Sequence, residues 1–504
     1  MLSKITGIRA RWTALAASGA ALLLLILAPA GVVGRGNRAS GAEANGPRAR
    51  AATRQALPPR PNFVFVLVDD MDAAALLYMP RVRERIGGCG ATFNNMFVVN
   101  PICTPSSVSI LTGQYSHNNG ILHNAPPLGG FRKFVDTGGD RSTLATWLHD
   151  DGYLTGRVGK YLIGYPIGST YIPPGWDDWH STYEGFGPYY NYALNENGAV
   201  VQYGAAPEDY MTDVLSRRAV EFIAGAEAVD DQPFFLVFSP TAPHAGAGRN
   251  GPPTPAPRHL GLFAGVTAPR TPSFNEADVS DKPPAIRALP SLTAARIAAI
   301  DQEHRARLES LQAVDEAVGR IVETLDVLGE LEDTYIIFTS DNGYHLGQHR
   351  QFNGKAEAYE EDIRVPLLVR GPGIPEGVTL DHFALNIDFA PTIVDLAGAV
   401  PGRVMDGRSL APLLVRDTPP PHNWRKDFLV EIYRAPAQPG VPVLALRTRH
   451  ELYAEHASGF RELYDIREDP FELNNLIPVA DRGYLKKLSR RLAELAGCAG
   501  DGCR

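Results

Sequence analysis

Residues 62–70 read NFVFVLVDD, and this stretch decides the fold. A nearly uninterrupted apolar run of this length is typical of a β-strand that is buried on both faces of a parallel sheet. Residues 335–342 read YIIFTSDN and repeat the pattern, because a second apolar run is closely followed by an acidic and an amide side chain. We therefore expect both runs to be central strands of a sheet with helices on each side.

Apolar runs and helical patterns alternate along the chain between residues 61 and 415. Strands that alternate with helices predict an α/β domain with a mostly parallel sheet flanked by helices over residues 61–415. The other strand candidates are residues 234–238 and 366–369, and the helix candidates are residues 142–150, 294–328 and 390–397.

A second, smaller domain is expected over residues 416–504. The run TPPPH at residues 418–422 marks the boundary, because consecutive prolines continue neither a helix nor a sheet. Short strands in succession after this run predict a small antiparallel sheet, and an amphipathic helix at residues 482–495 closes the chain. The strand candidates are residues 427–433, 443–447, 451–454 and 461–464.

Acidic side chains follow the two strands of the opening stretch. Asp69 and Asp70 come after the first strand, and Asp341 and Asn342 come after the second. Because ligands bind outside the carboxyl ends of the strands in doubly wound sheets, we expect both pairs at one edge of the sheet. Three carboxylates and an amide oxygen form a hard donor set that suits Ca²⁺ or Mg²⁺ rather than zinc. The alternative is that each pair only caps the helix or turn that follows it.

The run NPICTPSSVSILTG, residues 100–113, places Cys103 at the expected start of a helix. Pro105 suits the first helical turn, and Gly113 suits the helix end. At a helix N-terminus the dipole and the free N–H groups favour a bound anion and a reactive nucleophile. Cys103 beside two acidic pairs of the metal-binding type indicates a hydrolase.

The remaining cysteines have structural interpretations. Cys498 and Cys503, in CAGDGC, are close enough in sequence to form a disulfide across a short turn, although so small a loop stabilises little. Cys89 lies between glycines and is expected to be a buried free thiol. The even number of cysteines leaves open a disulfide between Cys89 and Cys103.

The N-terminus indicates export. Basic residues precede a long apolar stretch, so residues 1–33 are expected to form a signal peptide or, because the stretch is nearly long enough to cross a bilayer, a membrane anchor. Residues 34–60 are rich in Gly, Ala, Arg and Pro and are expected to form a disordered linker. The protein is therefore expected to be secreted, periplasmic or at the cell surface, in an oxidising compartment.

The charge balance argues against a nucleic-acid partner. The chain has 48 basic and 56 acidic residues, for a formal net charge of −8, and it has no dense basic block. An anionic substrate would need a local basic pocket instead.

Several blocks, in order, resemble the sulfatase family. CTPSSVSILTGQY, from residue 103, is similar to the family's C-x-P-x-R signature and the helix after it, and GYLTGRVGKYLIG, from residue 152, resembles the second signature, G-Y-x-T-x-x-x-G-K. SPTAPH, FTSDNGYHLGQ, IRVPLLVRGPG and ELYDIREDPFELNNL match further blocks. The resemblance covers about residues 61–504 and is nearest to the N-acetylglucosamine-6-sulfatase and arylsulfatase branch.

The resemblance implies an alkaline-phosphatase-like α/β fold and a hydrolase of sulfuric esters. A formylglycine-generating enzyme would oxidise Cys103 to formylglycine. One hydroxyl of the aldehyde hydrate would attack sulfur and release the alcohol, and the other would expel sulfate by regenerating the aldehyde. The substrate would be a sulfated sugar or an aryl sulfate.

The resemblance also implies roles for further residues. The matches to the calcium ligands, for one Ca²⁺ ion, are Asp69, Asp70, Asp341 and Asn342, with residue 103 completing the set. Lys160 and Lys355 match the lysines that contact sulfate, and His244 matches the histidine that protonates the leaving oxygen. His117 and His345 lie near the matching blocks without a role carried over.

The chain departs from the first signature at Ser107, where the family has arginine. In the family this arginine steadies the formylglycine hydrate and helps the maturation enzyme recognise its site. Neither Arg81 nor Arg83 can be shown from sequence to take its place. Three functions stay open: a sulfatase whose maturation tolerates serine, a hydrolase of phosphate or phosphonate esters on the same site, and a non-catalytic binder of sulfated glycans.

Overall fold

Parallel strands form the centre of the large sheet. The computed structural model describes residues 60–184, 187–228, 232–246, 251–415, 423–434 and 440–504. The strands before residue 416 are β1 (Asn62–Val68), β2 (Ala91–Phe93), β3 (Met96–Phe97), β4 (Leu154–Gly159), β5 (Asp178–Thr182), β6 (Ala193–Glu196), β7 (Ala199–Gln202), β8 (Phe234–Ser239), β9 (Thr334–Ser340), β10 (Leu367–Arg370), β11 (Val378–Leu380) and β12 (Ala384–Leu385).

The strand order in the large sheet is β11-β2-β10-β9-β1-β8-β4-β5-β6-β7, and β3 pairs with β12 in a separate two-stranded sheet. From β9 to β5, each neighbouring pair is parallel. Antiparallel partners extend both sides of this centre, with β10 next to β9 and β6 next to β5. The sheet is therefore mixed and mostly parallel at its centre, as the sequence predicts.

Helices cover both faces of this sheet. The longer ones are α1 (Cys103–Thr112), α2 (Gly130–Asp136), α3 (Leu144–Asp150), α4 (Met211–Glu227), α5 (Ala294–Leu328), α6 (Phe389–Ala397) and α7 (Arg482–Ala496). Single helical turns lie at Pro80–Val82, Ser116–Asn119, Pro284–Arg287, Glu360–Ile363 and Ala411–Leu414. The helices predicted from apolar spacing at 142–150, 294–328, 390–397 and 482–495 are confirmed to within two residues.

The alternation of side chains along β1 explains the layers. Phe63 and Phe65 point into a core that includes residues of α1, α3 and α6, whereas Val64 and Val66 point into a core that includes residues of α4 and α5. Successive side chains of a strand point to opposite faces, so a strand covered on both faces needs apolar residues at every position. This requirement accounts for the run NFVFVLV.

A four-stranded antiparallel sheet follows near the C-terminus. Its strands are β13 (Asp427–Ile432), β14 (Val443–Thr448), β15 (Glu451–His456) and β16 (Arg461–Asp465), in that order. Helix α7 packs on it through Leu485, Leu488 and Leu492, and the same core takes in residues of β3 and β12. The predicted small antiparallel sheet is confirmed.

Cys498 and Cys503 form the expected disulfide, and Cys89 and Cys103 are free thiols. Cys89 was expected to be buried, but it is half-buried, because its segment leads into the short strand β2 near the edge of the sheet. Among the described residues, no helix has both the length and the apolar content needed to cross a membrane. The expected signal or anchor at 1–33 and nearly all of the linker at 34–60 lie outside the described residues.

Candidate active site

The site lies where four neighbouring strands end. β9, β1, β8 and β4 are adjacent and parallel, so their carboxyl ends meet at one edge of the sheet. Asp341 follows β9, Asp69 follows β1 and Lys160 follows β4. The segment after β8 carries His244. The expected convergence of the two acidic pairs is therefore present in the structure.

The acidic groups are buried and interlocked. The backbone N–H of Asp70 donates to Oδ1 of Asp341 at 3.0 Å, and the amide of Asn342 donates to Oδ1 of Asp70 at 2.8 Å. Asp70 has φ of 62°, a left-handed conformation that is rare for a residue other than glycine. The side chain of Arg307 donates to the carbonyl of Asp70 and helps to hold that conformation. Strained backbone of this kind is often found at functional sites.

Two lysines enter the acidic cluster. The ammonium of Lys160 donates to Asp69 at 2.6 Å and to Asp341 at 2.8 Å. Lys355 donates to Asp70 and lies 2.6 Å from the sulfur of Cys103. Burial alone would lower the pKa of each lysine, but the neighbouring carboxylates raise both above the usual range. Both side chains are therefore charged at neutral pH.

The donor set fits a hard divalent cation. Ligand atoms of Asp69, Asp70, Cys103 and Asp341 all lie within 4.8 Å of one another. Within the described ranges, Oδ2 of Asp69 and Oδ1 of Asn342 are buried without a hydrogen-bond partner, which is costly unless a bound group supplies one. Burial raises the pKa of Asp69 well above its usual range, with Asp341 and Asp70 adding to the rise. Oxygen ligands of this type suit Ca²⁺ or Mg²⁺.

Cys103 is the first residue of α1 and is only 2% exposed. The neighbouring N–H of Thr104 donates to the side chain of Asn124 at 2.8 Å. Burial raises the pKa of the Cys103 thiol to about 12, against the opposing effect of Lys160 and Lys355. The thiol therefore keeps its proton at neutral pH, and a thiol in that state is a poor nucleophile.

His244 reaches the cluster from the segment after β8. Its Nδ1 atom lies 2.8 Å from the carbonyl oxygen of Ala245, and its Nε2 atom lies 3.7 Å from Oδ2 of Asp70. Burial lowers the pKa of His244 to about 4, although Asp70 acts in the opposite direction. The Nδ1 contact to a carbonyl assigns the proton to Nδ1 and turns Nε2 towards the cluster.

Ser107 shares a small internal cavity with Arg157, a residue that sequence reasoning missed. The cavity of about 10 Å³ is lined otherwise by apolar side chains, including Phe65 and Leu67. Arg157 is 2% exposed and donates to the carbonyl of Lys160 and to Ser239, and no carboxylate in the described part of the chain pairs with it. Burial lowers its pKa to about 10. An arginine within the apolar strand β4 was the available signal.

The other histidines and arginines singled out in the sequence contact residues outside the acidic cluster. His117 lies against Glu431 and the carbonyl of Cys498, at the junction with the small sheet. His345 bonds Asp362 at 2.8 Å, and its backbone pairs with Gly354, next to Lys355. Arg81 pairs with Asp315, and Arg83 donates to the carbonyl of Leu77. None of these contacts joins the acidic cluster.

Comparison with known proteins assigns the family. A model of the sulfatase family matches residues 61–399, and a model described as N-sulphoglucosamine sulphohydrolase, C-terminal, matches residues 347–497. The arylsulfatase of Volvox carteri is 37% identical, over 90% of this chain and 77% of that protein. The N-acetylglucosamine-6-sulfatase of Homo sapiens is 34% identical, over 88% of this chain and 86% of that protein.

A solved structure agrees with both relatives. It is described as being in complex with its substrate, D-glucosamine-2-N,6-O-disulfate, and it matches this fold with a TM-score of 0.74 and 28% identity. The match covers 86% of this chain and 97% of that one. The fold is thus alkaline-phosphatase-like, with a large mixed sheet and a separate small antiparallel sheet. On these grounds the chain belongs to the sulfatase family and is an enzyme of that class.

Proposed function

We propose that this protein cleaves sulfate from a sulfated amino sugar or an aryl sulfate, with Cys103 converted to formylglycine and one calcium ion in the site. The observation that carries this proposal is the buried cluster of oxygen ligands around Cys103, which two lysine side chains enter. A sulfated sugar is favoured because one relative is named an N-acetylglucosamine-6-sulfatase and another is described with a glucosamine disulfate.

Lys160 and Lys355 would bind the sulfate group. A sulfate ester carries negative charge in the ground state and shifts charge during cleavage, so two fixed ammonium groups stabilise it without reorganisation. When bound, calcium would hold sulfate oxygens and lower the pKa of the hydrate formed from residue 103. The carbonyl of Lys160 accepts from Arg157 and from Ser239, contacts that support the backbone next to this ammonium group.

His244 would protonate the oxygen of the leaving alcohol. Its Nε2 atom faces the cluster, and a general acid must lie within reach of the oxygen that it protonates. The low pKa of His244 means that the free enzyme holds it neutral at pH 7. The negative charge of a bound sulfate ester acts to raise that pKa, so we expect His244 to gain its proton together with the substrate.

A comparison of leaving groups and ester classes tests the reaction. The purified protein would be assayed with 4-nitrophenyl sulfate, N-acetylglucosamine 6-sulfate, 4-nitrophenyl phosphate and a phenylphosphonate ester, each with and without EDTA. We expect hydrolysis of the sulfate esters that is lost with EDTA and restored by Ca²⁺. Preferential turnover of the phosphorus esters would assign a phosphate or phosphonate hydrolase instead. Retained binding of the sulfated sugar without turnover of any ester would assign a binding protein.

A peptide mass tests the state of residue 103. Trypsin releases residues 86–132 as one peptide, because this stretch has no internal Lys or Arg, and that peptide contains both Cys89 and Cys103. Cys89 is a free thiol and serves as the internal control for alkylation. We expect one alkyl group on Cys89 and a hydrazide-reactive aldehyde at residue 103. Complete alkylation of both cysteines in protein from its native host would rule out the proposed nucleophile.

We also propose that the protein is exported. The disulfide between Cys498 and Cys503 supports this, because disulfides persist in oxidising compartments. The basic residues and apolar stretch before residue 34 fit an export signal or an anchor. N-terminal sequencing of the protein recovered from culture medium, cell envelope and cytosol would distinguish a cleaved signal from a retained anchor.

A further inference from the structure

A second group of potential metal ligands, two of them buried and one half-buried, lies apart from the Asp69 cluster, by which we mean Asp69, Asp70, Cys103 and Asp341. It consists of His349, in the segment after β9, Glu361, in the single turn Glu360–Ile363, and Glu472, in the segment after β16. One ligand atom from each residue lies within 4.8 Å of the others. The group brings together three stretches of chain that are far apart in sequence, and we call it the His349 cluster.

Two atoms of the His349 cluster are buried without partners. His349 is 1% exposed and Glu472 is 0% exposed, yet Nε2 of His349 and Oε1 of Glu472 make no hydrogen bond to any residue that the structure describes. Buried polar atoms in folded proteins are nearly always paired with protein, water or an ion. Both atoms belong to residues whose ligand atoms lie within 4.8 Å of one another, so a ligand bound by this group would supply the missing partners.

The second nitrogen of His349 has the environment of a metal-bound histidine. Nδ1 of His349 lies 2.7 Å from Oε2 of Glu276, and Oε1 of that carboxylate lies 3.2 Å from Lys282. Histidines that bind a metal through one ring nitrogen usually donate the other N–H to a carboxylate, which fixes the tautomer and strengthens the ligand. With Nδ1 engaged in this way, Nε2 is the nitrogen left for a ligand.

The carboxylates of the His349 cluster are held in place by further contacts. Oε2 of Glu472 accepts the backbone N–H of Glu360 at 3.0 Å, and Oε1 of Glu361 accepts the hydroxyl of Ser273 at 3.1 Å. Glu472 adopts a left-handed backbone conformation with φ of 55°, which is rare for a residue other than glycine, and its side chain is buried.

We propose that His349, Glu361 and Glu472 bind a divalent metal ion of the zinc class, separate from the site at Cys103. One imidazole and two carboxylates, with a carboxylate behind the imidazole, are typical ligands for Zn²⁺, whereas Ca²⁺ takes oxygen ligands only. Three protein ligands leave one position for water.

The position of the His349 cluster gives such an ion a role. Lys355 lies between His349 and Glu361 in sequence, so the ion would fasten both ends of the segment that carries this lysine to the cluster at Cys103. Glu472 would connect that segment to the C-terminal sheet. Metal ions that join distant segments stabilise the fold by the free energy of binding.

Metal analysis of the full chain tests the proposal. The protein would be loaded with Zn²⁺ and Ca²⁺, dialysed against metal-free buffer and measured by inductively coupled plasma mass spectrometry. We expect about one equivalent of zinc in the wild type, and its loss in H349Q and E472Q with circular dichroism unchanged. The matched control is H456Q, because His456 is also buried against a carboxylate, Glu462 at 2.6 Å, but is not part of the metal-ligand group.

A cobalt titration gives an independent readout. Co²⁺ added to the EDTA-treated protein should produce the visible absorption of low-coordinate cobalt in wild type and H456Q, and that absorption should be absent in H349Q and E361Q. E361Q keeps the test valid if H349Q fails to fold. Absence of zinc from the loaded wild type, or zinc and cobalt signals that persist in the folded His349 cluster variants, would overturn the proposal. Activity is not needed for either measurement, so failure of the proposed sulfatase reaction leaves this test intact.

Discussion

Ser107 and Arg157 define the charge of the cavity behind α1. The signature arginine is absent from the helix, and the guanidinium beside this cavity comes from strand β4 instead. Arg157 donates a hydrogen bond to the carbonyl of Lys160, so the guanidinium stabilises the backbone next to the Asp69 cluster. A buried guanidinium that has hydrogen bonds but no carboxylate partner is energetically costly. A second positive charge beside it would add electrostatic repulsion to that cost.

The variant S107R tests this interpretation. An arginine at position 107 would lie beside Arg157 at a cavity of about 10 Å³, which is too small for its side chain. We expect a loss of roughly 3 kcal/mol in the free energy of unfolding, because a second unpaired charge would be buried and the core would be overpacked. Urea denaturation of S107R, R157M and the double variant measures the change in the free energy of unfolding. The double variant should lose less than the sum of the single variants, and strict additivity would contradict the interpretation.

The role proposed for His244 predicts a dependence on the leaving group. A nitrophenolate leaves readily without a proton, whereas a sugar alkoxide does not. We expect H244N to lower kcat by about 100-fold or more for a sugar sulfate and much less for 4-nitrophenyl sulfate. Steady-state kinetics with both substrates checks this, with H456N as the control outside the site. An equal loss of kcat on both substrates would show that His244 does not act as the acid.

At the level of elements, the ends of the central strands were predictable and the contacts between loops were not. The run NFVFVLV predicts a buried strand, and the acidic pair directly after it is placed at the carboxyl end of that strand. Because β1 and β9 are parallel neighbours, the pairs that follow them meet at one edge of the sheet. Lys355 and Arg157 lie in no comparable pattern. Lys355 was found through a family block, and Arg157 became visible only once β4 was placed beside α1.

The His349 cluster shows the same limit. Its residues come from a loop, a single helical turn and a segment of the C-terminal part, and no spacing rule connects residues 349 and 472. The strands around them followed from apolar periodicity, since burial repeats along each strand and helix. Contacts that depend on how two loops pack carry no periodic signal.

Gly159 is the last residue of β4 and precedes Lys160, and its conformation strongly favours glycine. Its φ is 115°, and a Cβ atom there would lie 2.1 Å from the carbonyl oxygen of Ser239. That carbonyl also accepts the N–H of Lys160 at 2.7 Å. The close approach of β4 to β8 therefore sets the direction in which Lys160 leaves the sheet.

We expect G159A to lower the free energy of unfolding by about 3 kcal/mol and to reduce turnover, because strain and the clash displace Lys160. The matched control is G168A, which also has a positive φ, of 73°, but open space around the added methyl group. It should cost about 1 kcal/mol and leave turnover unchanged. Thermal denaturation and steady-state kinetics measure both variants, and equal effects would contradict the argument from the close approach.

At the scale of the molecule, the C-terminal sheet is joined to the larger part by polar contacts as well as by its core. The backbone N–H of Glu431, in β13, donates to the carbonyl of Val99 at 2.8 Å. Its side chain accepts from the backbone and ring of His117, and the other ring nitrogen of His117 lies 3.0 Å from the carbonyl of Cys498. His117 thus connects the helical turn Ser116–Asn119, which follows α1, with the small sheet and with the C-terminal segment that the disulfide closes.

This junction predicts a pH-dependent contribution to stability. Burial lowers the pKa of His117, but the hydrogen bond and charge of Glu431 outweigh it and raise the pKa above 6.5. A histidine whose pKa is higher in the folded state stabilises the fold fully when the pH is below its pKa in the unfolded chain. This stabilisation is lost as the pH rises through its pKa in the folded state. The difference in Tm between wild type and H117Q should therefore be larger at pH 6 than at pH 9. A difference that grows with pH would contradict this.

The burial of Cys103 has a consequence for how the protein is made. The thiol lies at the start of α1, in which every residue is buried, beneath the ends of the central strands. If Cys103 is converted to formylglycine as we propose, the converting enzyme must reach the side chain before the sheet forms, because a second protein cannot reach a residue that is buried in the folded chain. Conversion and folding would then compete in time. A molecule that folded first would keep its original thiol, so the fraction of active enzyme would be set during synthesis.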